Sequence, residues 1–292
     1  MRSLFLCACE NGARAIVPFL VFATILTLGA HQAWCGFITL ADDFGSKWDD
    51  PVHGTTATIT WGFMPDGTTV DGGVFIAAEV NGGSDITQMR SDFDAQFGTG
   101  ALNAAIRRAF RTWQSVANVR FVGPIPDTSG LPVGAAGSTA PDIRIGAFDP
   151  VPNSGFAFVG GVGFGPPGDD LNFPDALAGD VLFNLEAGFL IRPGGENAPY
   201  DPFNPPGNDL EGLALHELGH AAMGLGHPDE GRGDVMFVGA NCCDFINRWP
   251  SRDDIAGAHV VYGVPEPGMA LVLLAGVALV GRRPMTSGTS RR

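Results

Sequence analysis

Apolar and polar positions along the chain follow two different periods. Residues 55–63 alternate β-branched and aromatic side chains, which predicts a strand. Residues 101–116 place apolar side chains three and four positions apart, with arginines between them, which predicts an amphipathic helix. The apolar face of that helix consists of Leu102, Ala105, Ile106, Ala109, Phe110 and Trp113.

Shorter segments complete the pattern. Residues 118–122, 142–145 and 180–185 each predict a short strand. Residues 153–168 are rich in glycine and aromatic side chains, which predicts an irregular edge strand or loop outside the core. Strands mixed with a few long helices favour an α+β fold, and the lack of an internal repeat predicts one domain over residues 36–263.

A further helix is predicted around a group of chemically active residues. Asn208 is followed three residues later by Glu211, in the manner of a capping box, and Gly224 is a natural place for the helix to stop. The segment between them is mostly apolar, so we expect its helix to be buried on most sides.

His216 and His220 stand one helical turn apart on this segment, so both imidazoles project from one face with Cβ atoms about 5–6 Å apart. Two ring nitrogens at that spacing can reach one tetrahedral Zn²⁺ at about 2.0–2.1 Å. Glu217 lies beside the first ligand and can take a proton from a zinc-bound water. The spacing alone also arises by chance on amphipathic helices.

Three features further along the chain strengthen the metal interpretation. His227 follows glycines at 224 and 226, which let the chain turn sharply back toward the metal. Met236 lies nine residues beyond His227. Residues 251–263 then read SRDDIAGAHVVYG.

Together these features resemble the metzincin clan of zinc peptidases and, within it, the matrixins. The resemblance extends upstream to residues 109–113, 142–145 and 179–183, and covers about residues 55–263. It implies a zincin-like fold, in which a twisted mixed sheet is joined by an active-site helix and a C-terminal closing helix. It also implies the roles of the site residues: His216, His220 and His227 as zinc ligands, Glu217 as general base and Met236 as hydrophobic floor.

The sequence departs from the family pattern by one extra residue before Gly224 and His227. One residue advances a helix by about 100° and 1.5 Å, so the turn would start from a different direction. Either the end of the helix bulges to absorb the residue, or the glycine-rich loop takes a new path. If His227 failed as a ligand, Asp229 or a water would be the substitute.

The function expected from this resemblance is a zinc endopeptidase that acts on protein or peptide substrates. An extended substrate would pair with an edge strand within residues 156–164. One alternative is a surface or matrix protein that keeps the fold but has lost catalysis through the extra residue. Another is a zincin with two histidines and a glutamate, but the chain has Asp244 where that glutamate would stand.

The sequence also bears on metals other than the catalytic zinc. The matrixin resemblance places Leu182 where a histidine for a structural zinc is expected, so a second zinc is not predicted. Structural Ca²⁺ could use acidic groups that offer hard oxygen ligands. The candidates are Asp169, Asp170, Asp175, Asp180 and Glu186, with a solvated acidic surface as the alternative.

The net charge of the chain narrows the classes of partner that it can bind. The 292 residues carry a net charge of −14, which disfavours nucleic acid and anionic lipid and favours solubility and cation binding. The N-terminus has basic residues, an apolar run at 16–30 and small residues, which predicts a signal peptide over residues 1–35. A retained membrane anchor is the alternative. Only Cys242 and Cys243 would remain in the mature chain, and the sequence leaves their state open.

The C-terminal residues 264–292 have three parts: a Pro-Glu-Pro motif, an apolar run at 269–280 and terminal arginines. This order resembles the PEP-CTERM sorting signal of Gram-negative bacteria. The resemblance implies transient membrane association, cleavage by an exosortase and export to the cell surface or extracellular matrix. An ordinary tail anchor is the alternative.

Overall fold

The computed structural model describes residues 47–70, 80–135, 139–154, 159–167, 179–192, 194, 196, 198, 207–228, 233–237 and 246–266. All of them belong to the unit Cys35–Arg292. Several parts of the sequence predictions lie outside the described residues: the predicted signal peptide, the apolar part of the tail, both late cysteines, the substitute ligand Asp229, the position of Asp244, and the calcium candidates Asp169, Asp170 and Asp175.

A mixed sheet forms the centre of the fold. Its strands are β1 (Ala57–Phe63), β2 (Val80–Asn81), β3 (Val119–Val122), β4 (Ile143–Pro150), β5 (Gly161–Gly163) and β6 (Asp180–Asn184). The order is β3-β1-β4-β6-β5, with β2 paired to β4. The pairs β1–β3, β1–β4 and β4–β6 are parallel, whereas β2 and β5 run antiparallel to their partners. The predicted mixed sheet is confirmed.

Four helices accompany the sheet: α1 (Ile86–Phe97), α2 (Ala101–Val116), α3 (Leu210–Ala221) and α4 (Arg252–Tyr262). A 3₁₀ turn at Leu185–Ala187 precedes the short pair β7 (Phe189–Leu190) and β8 (Asn208–Asp209). Helix α2 has the bounds predicted from its apolar spacing. None of the helices in the described residues is long and apolar enough to cross a membrane.

Helix α1 was not predicted, although its sequence carries the signals. The Asp85 side chain accepts the Gln88 N–H as an N-cap, and Ile86, Met89 and Phe93 are buried at helical spacing. Gly98 follows the last residue. The helix was missed because polar residues separate these few apolar positions, which weakens the periodic pattern.

The largest core cluster joins the sheet to the helices. Trp113 of α2 is fully buried, and its indole N–H donates to the Leu215 carbonyl of α3 at 2.8 Å, which docks the two helices. A smaller cluster contains Leu182 and Phe164. The expectation that residues 153–168 lie outside the core is therefore wrong at Phe164, which packs because β5 joins the sheet beside β6.

A buried ion pair connects neighbouring strands. Arg144 of β4 donates from Nε and Nη2 to the two carboxylate oxygens of Asp180 of β6, at 2.8 and 2.7 Å. Asp180 also accepts the Gly134 N–H at 2.6 Å. Asp180 is thus unsuited to the calcium role considered from sequence, because an arginine already takes its oxygens.

Candidate metal centre

The helix that carries the predicted motif begins one residue later than expected. Asp209 is the N-cap of α3, and its side chain accepts the Gly212 N–H at 3.0 Å. The predicted capping box is wrong, because Asn208 belongs to β8 and Glu211 instead accepts the Arg108 guanidinium at 2.6 Å. Two adjacent cap-type residues made the start ambiguous in the sequence.

Asp209 also connects the start of α3 to two distant segments. It accepts the backbone N–H of Arg192 at 3.0 Å and forms an ion pair with the guanidinium of Arg248. The Arg248 side chain in turn donates to the Arg192 carbonyl at 2.8 Å. A fully buried carboxylate paired in this way holds the helix start against the segment that precedes α4.

The other end of α3 absorbs the extra residue by widening its last turn. The Leu218 carbonyl accepts two N–H groups, from Ala222 at 2.8 Å and from Met223 at 3.3 Å. The second bond spans five residues, as in a π-type turn. Of the two paths considered from sequence, the structure therefore adopts the bulged helix end.

Gly224 then closes the helix. Its φ of 67° is left-handed, and its N–H donates to the His220 carbonyl at 3.1 Å. The Leu225 N–H reaches back to the Gly219 carbonyl at 3.0 Å, which reverses the chain toward His227. The widened turn compensates the extra residue, so the third histidine returns beneath the helix.

The three histidines meet at their Nε2 atoms. The Nε2–Nε2 distances are 3.2 Å between His216 and His220, 3.0 Å between His216 and His227, and 2.9 Å between His220 and His227. In the part of the chain that the structure describes, this is the only group of three or more metal-binding side chains that could hold an ion. His216 and His220 are buried, whereas His227 is exposed.

Backbone carbonyls fix the protonation of two of the rings. His216 Nδ1 lies 2.6 Å from the Val235 carbonyl, and His220 Nδ1 lies 2.6 Å from the Leu225 carbonyl. A carbonyl oxygen only accepts, so each Nδ1 must carry the proton and each Nε2 presents a lone pair. This is the tautomer that metal ligation through Nε2 requires.

Burial also keeps the imidazoles of the two helical histidines neutral. It lowers the pKa of His216 to about 4 and that of His220 well below its usual value, and partial desolvation of the His227 ring lowers its pKa as well. Two nitrogens on one tetrahedral zinc lie about 3.3 Å apart, close to the observed separations. Neutral nitrogen donors converging at this spacing fit Zn²⁺.

Glu217 lies where α3 meets β5. Its side chain is 4% exposed and accepts a hydrogen bond from the Gly163 N–H. Burial raises the pKa of Glu217 to about 8, and the Gly163 hydrogen bond acts in the opposite direction. A Cβ on Gly161 would stand 3.1 Å from Glu217 Oε1, and one on Gly163 would overlap the Glu217 carbonyl. The glycines therefore let the strand approach the helix.

Met236 packs against α3 between the two helical histidines. Its side chain is 2% exposed, and a Cβ on Gly219 would overlap Met236 Sδ. Asp254 of α4 accepts the N–H groups of Val235 at 2.8 Å and of Met236 at 3.3 Å. The same Val235 carbonyl binds His216, so α4 supports the first histidine through this turn.

Sequence reasoning missed three parts of the site: the Gly161–Gly163 contact with Glu217, the bonds from Asp254 to the turn at Met236, and the support of the α3 end by Trp48. A signal existed for Asp254, because Ser251 and Asp254 form a capping box that can be read from the spacing. No local sequence signal indicates the other two contacts.

A buried helix with two histidines and an adjacent glutamate, followed by a turn that returns a third histidine, is the arrangement of a zincin-type metallopeptidase. The matrixin family model matches residues 84–263, more than half of the chain, and the chain therefore belongs to the matrixin family. Matrixins are zinc metallopeptidases, so membership implies a zinc-dependent hydrolase that acts on proteins or peptides. The fold expected from the resemblance is confirmed.

Proposed function

We propose that this protein is an extracytoplasmic zinc endopeptidase in which His216, His220 and His227 hold the metal, Glu217 is the general base and Met236 supports the site from below. The proposal rests on one observation above all: the Nε2 atom of His227, in the segment after α3, converges within 3.2 Å on those of His216 and His220, which lie on the helix that carries Glu217. Zinc bound there would acidify the attacking water and polarise the scissile carbonyl.

Glu217 is placed to handle the proton. Its buried carboxylate accepts the Gly163 N–H and so is held beside the strand edge. A bound Zn²⁺ would favour the ionised carboxylate against the effect of burial, and as general base Glu217 would take the proton of the attacking water and then deliver it to the leaving amine, so that the carboxylate is restored. One carboxylate at this position thus serves both proton transfers.

The substrate would bind along β5. This strand lies at the edge of the described sheet and pairs with β6 on its inner side. Its outer edge can therefore pair with an extended peptide. Gly161 and Gly163 face Glu217, which puts a peptide on that edge beside the base. The sequence prediction of an edge strand within residues 156–164 concerns the same segment, of which residues 156–158 lie outside the described part.

The catalytically impaired alternative rested on displacement of the third ligand. The bulged helix end brings His227 Nε2 to 2.9 Å from His220 Nε2, so that reason no longer favours it. No described feature supports it further, and we retain the peptidase as the single proposed function.

The test combines metal analysis with one matched pair of substitutions. We expect the purified protein to contain one zinc, to cleave casein or gelatin, and to lose cleavage on chelation and regain it with zinc. Glu217→Gln should keep the zinc but lower the rate about 10²–10⁴-fold. Glu211→Gln is the control, because it makes the same change on the same helix at a residue paired with Arg108. A zinc-free protein, or full cleavage by Glu217→Gln, would overturn the proposal.

We also propose that residues 1–35 direct export, and that residues 264–292 act as a PEP-CTERM-type signal read by an exosortase after transient membrane association. The support is the order of motif, apolar run and arginines in the sequence. Deleting residues 264–292 in a host with exosortase machinery should abolish display at the cell surface, as measured by protease accessibility. Unchanged display would contradict the assignment of the tail.

A further inference from the structure

The segment that precedes β1 contacts the end of the metal-binding helix. The Trp48 indole N–H donates to the Ala221 carbonyl at 2.7 Å, and the Tyr262 hydroxyl of α4 donates to the Ala222 carbonyl at 2.7 Å. Both side chains are buried, Trp48 at 8% exposure and Tyr262 at 0%. Trp48 lies 173 positions before Ala221, and Tyr262 lies 40 positions after Ala222. Two side chains from distant parts of the chain thus satisfy two consecutive carbonyls.

The two donors are also connected to each other. The Trp48 backbone N–H donates to the Tyr262 hydroxyl oxygen at 3.2 Å, so this hydroxyl both accepts and donates. The Lys47 ammonium lies 5.1 Å from the Tyr262 ring centroid and donates to the Trp48 carbonyl at 3.1 Å. The result is a buried network whose members restrict one another's movement.

The contacted carbonyls stand at a sensitive place. The last carbonyls of a helix have no partner within it, and leaving a buried one without a donor is costly. The turn that starts at Ala222 supplies the Leu225 carbonyl, which orients His220, and then leads directly to His227. Any shift of the helix end would therefore move one proposed ligand and reorient another.

We infer that Trp48 and Tyr262 are positioning residues for the metal centre, because their hydrogen bonds hold the widened end of α3 and so set the path of the chain to His227. This inference deepens the proposed function and rests on it. It also makes the segment Lys47–Trp48, ahead of the first strand, a working part of the site, so that trimming through Trp48 would impair metal binding.

The experiment uses the full chain with three single substitutions. Trp48→Phe removes the indole N–H, and Tyr262→Phe removes only the hydroxyl. Trp61→Phe is the control, since Trp61 is a buried tryptophan of β1 that stacks on Phe110. Zinc affinity is measured by competition with a chelator, and ligand geometry by the visible absorption of the Co²⁺-loaded protein. Hydrogen exchange of residues 221–227 is measured in the metal-free protein.

We expect Trp48→Phe and Tyr262→Phe each to weaken zinc binding roughly tenfold, to change the Co²⁺ spectrum and to speed exchange at residues 221–227. Trp61→Phe should lower stability without these changes. Wild-type affinity and spectrum in both variants would overturn the inference, as would an equal loss in Trp61→Phe. If Trp48→Phe does not fold, Tyr262→Phe decides. Failure of the proposed function would instead show as wild-type protein that binds no zinc, and hydrogen exchange would still test the positioning role.

Discussion

Asp253 shows at the scale of one residue how the fold opposes an ionised group. It lies in the first turn of α4, and its buried Oδ2 has no hydrogen-bond partner among the described residues. Burial raises the pKa of Asp253 to about 6 from 3.8, and the carboxylates of Asp234 and Asp254 act in the same direction. The folded state therefore binds this proton more tightly than the unfolded chain does.

The sign of the resulting pH dependence follows from linkage. Stability from a carboxyl with a raised folded pKa is fully present below the unfolded value and is lost as pH rises through the window from about 4 to about 6. We expect Asp253→Asn to be more stable than the wild type at pH 7.5, with the difference disappearing at pH 3.5. Urea unfolding at both pH values measures this. An equal difference at both would show that ionisation of Asp253 is not the cause.

The residues of the proposed site were identified one by one from the sequence. The spacing of His216, Glu217 and His220 indicated a zinc site and the matrixin resemblance gave their roles, and the structure puts both imidazoles on one face of α3. The tautomers were not readable, because the carbonyls that set them belong to Val235 and Leu225. A hydrogen bond to a distant or non-helical carbonyl leaves no trace in local periodicity.

At the scale of elements, the site depends on how closely β5 approaches α3. The two glycines of β5 that face α3 differ in what a side chain would meet. A Cβ at Gly163 would overlap the Glu217 backbone carbonyl, whereas one at Gly161 would meet only the Glu217 side chain, at 3.1–3.3 Å. Backbone cannot move away cheaply, but the end of a side chain can.

This difference gives a paired prediction. Gly163→Ala should push β5 from the helix and destabilise the protein by about 1–3 kcal/mol. Gly161→Ala should keep most of the stability but displace the Glu217 carboxylate, so that kcat falls while zinc content is unchanged. Urea unfolding, zinc analysis and peptide hydrolysis separate the two effects. A Gly163→Ala protein as stable as the wild type would contradict the packing argument.

Elements were predicted best where their pattern was strong. Helix α2 was placed with its bounds because its apolar residues recur through about three turns, and α4 was placed by the matrixin resemblance, in which this run is the closing helix. Helix α1 was missed, and the start of α3 was misplaced by a residue, because several side chains near Asp209 could serve as caps. Tertiary contacts, rather than the local sequence, decide which of these side chains caps the helix.

At the scale of the whole molecule, α4 supports the metal centre through Asp254. Its carboxylate accepts the Ser251 N–H at 2.8 Å in the capping box, as well as the N–H groups of Val235 and Met236. The Val235 carbonyl then accepts from His216. A helix near the end of the chain is thus connected to the first proposed zinc ligand by two hydrogen-bonded steps.

Asp254→Ala should therefore destabilise the protein by more than the loss of a helix cap would. It would leave two buried N–H groups unsatisfied, and we expect a loss of about 2–4 kcal/mol together with zinc binding weaker by about 10–100-fold. Ser251→Ala is the matched control, because it removes the cap at about 1 kcal/mol but keeps the bonds to Val235 and Met236. Denaturant unfolding and zinc competition measure both. Unaltered zinc affinity in Asp254→Ala would remove α4 from the support of the site.

The sequence by itself determined the features whose geometry is local. Helix geometry sets His216 and His220 on one face with Glu217 beside the first of them, and the glycine at 224 permits the turn that follows the helix. Tertiary structure alone decided whether the displaced His227 could return to them. That answer depends on the shared Leu218 carbonyl and on Trp48 and Tyr262, which lie far along the chain. Spacing in a sequence fixes neighbours along an element, but only packing brings such distant groups together.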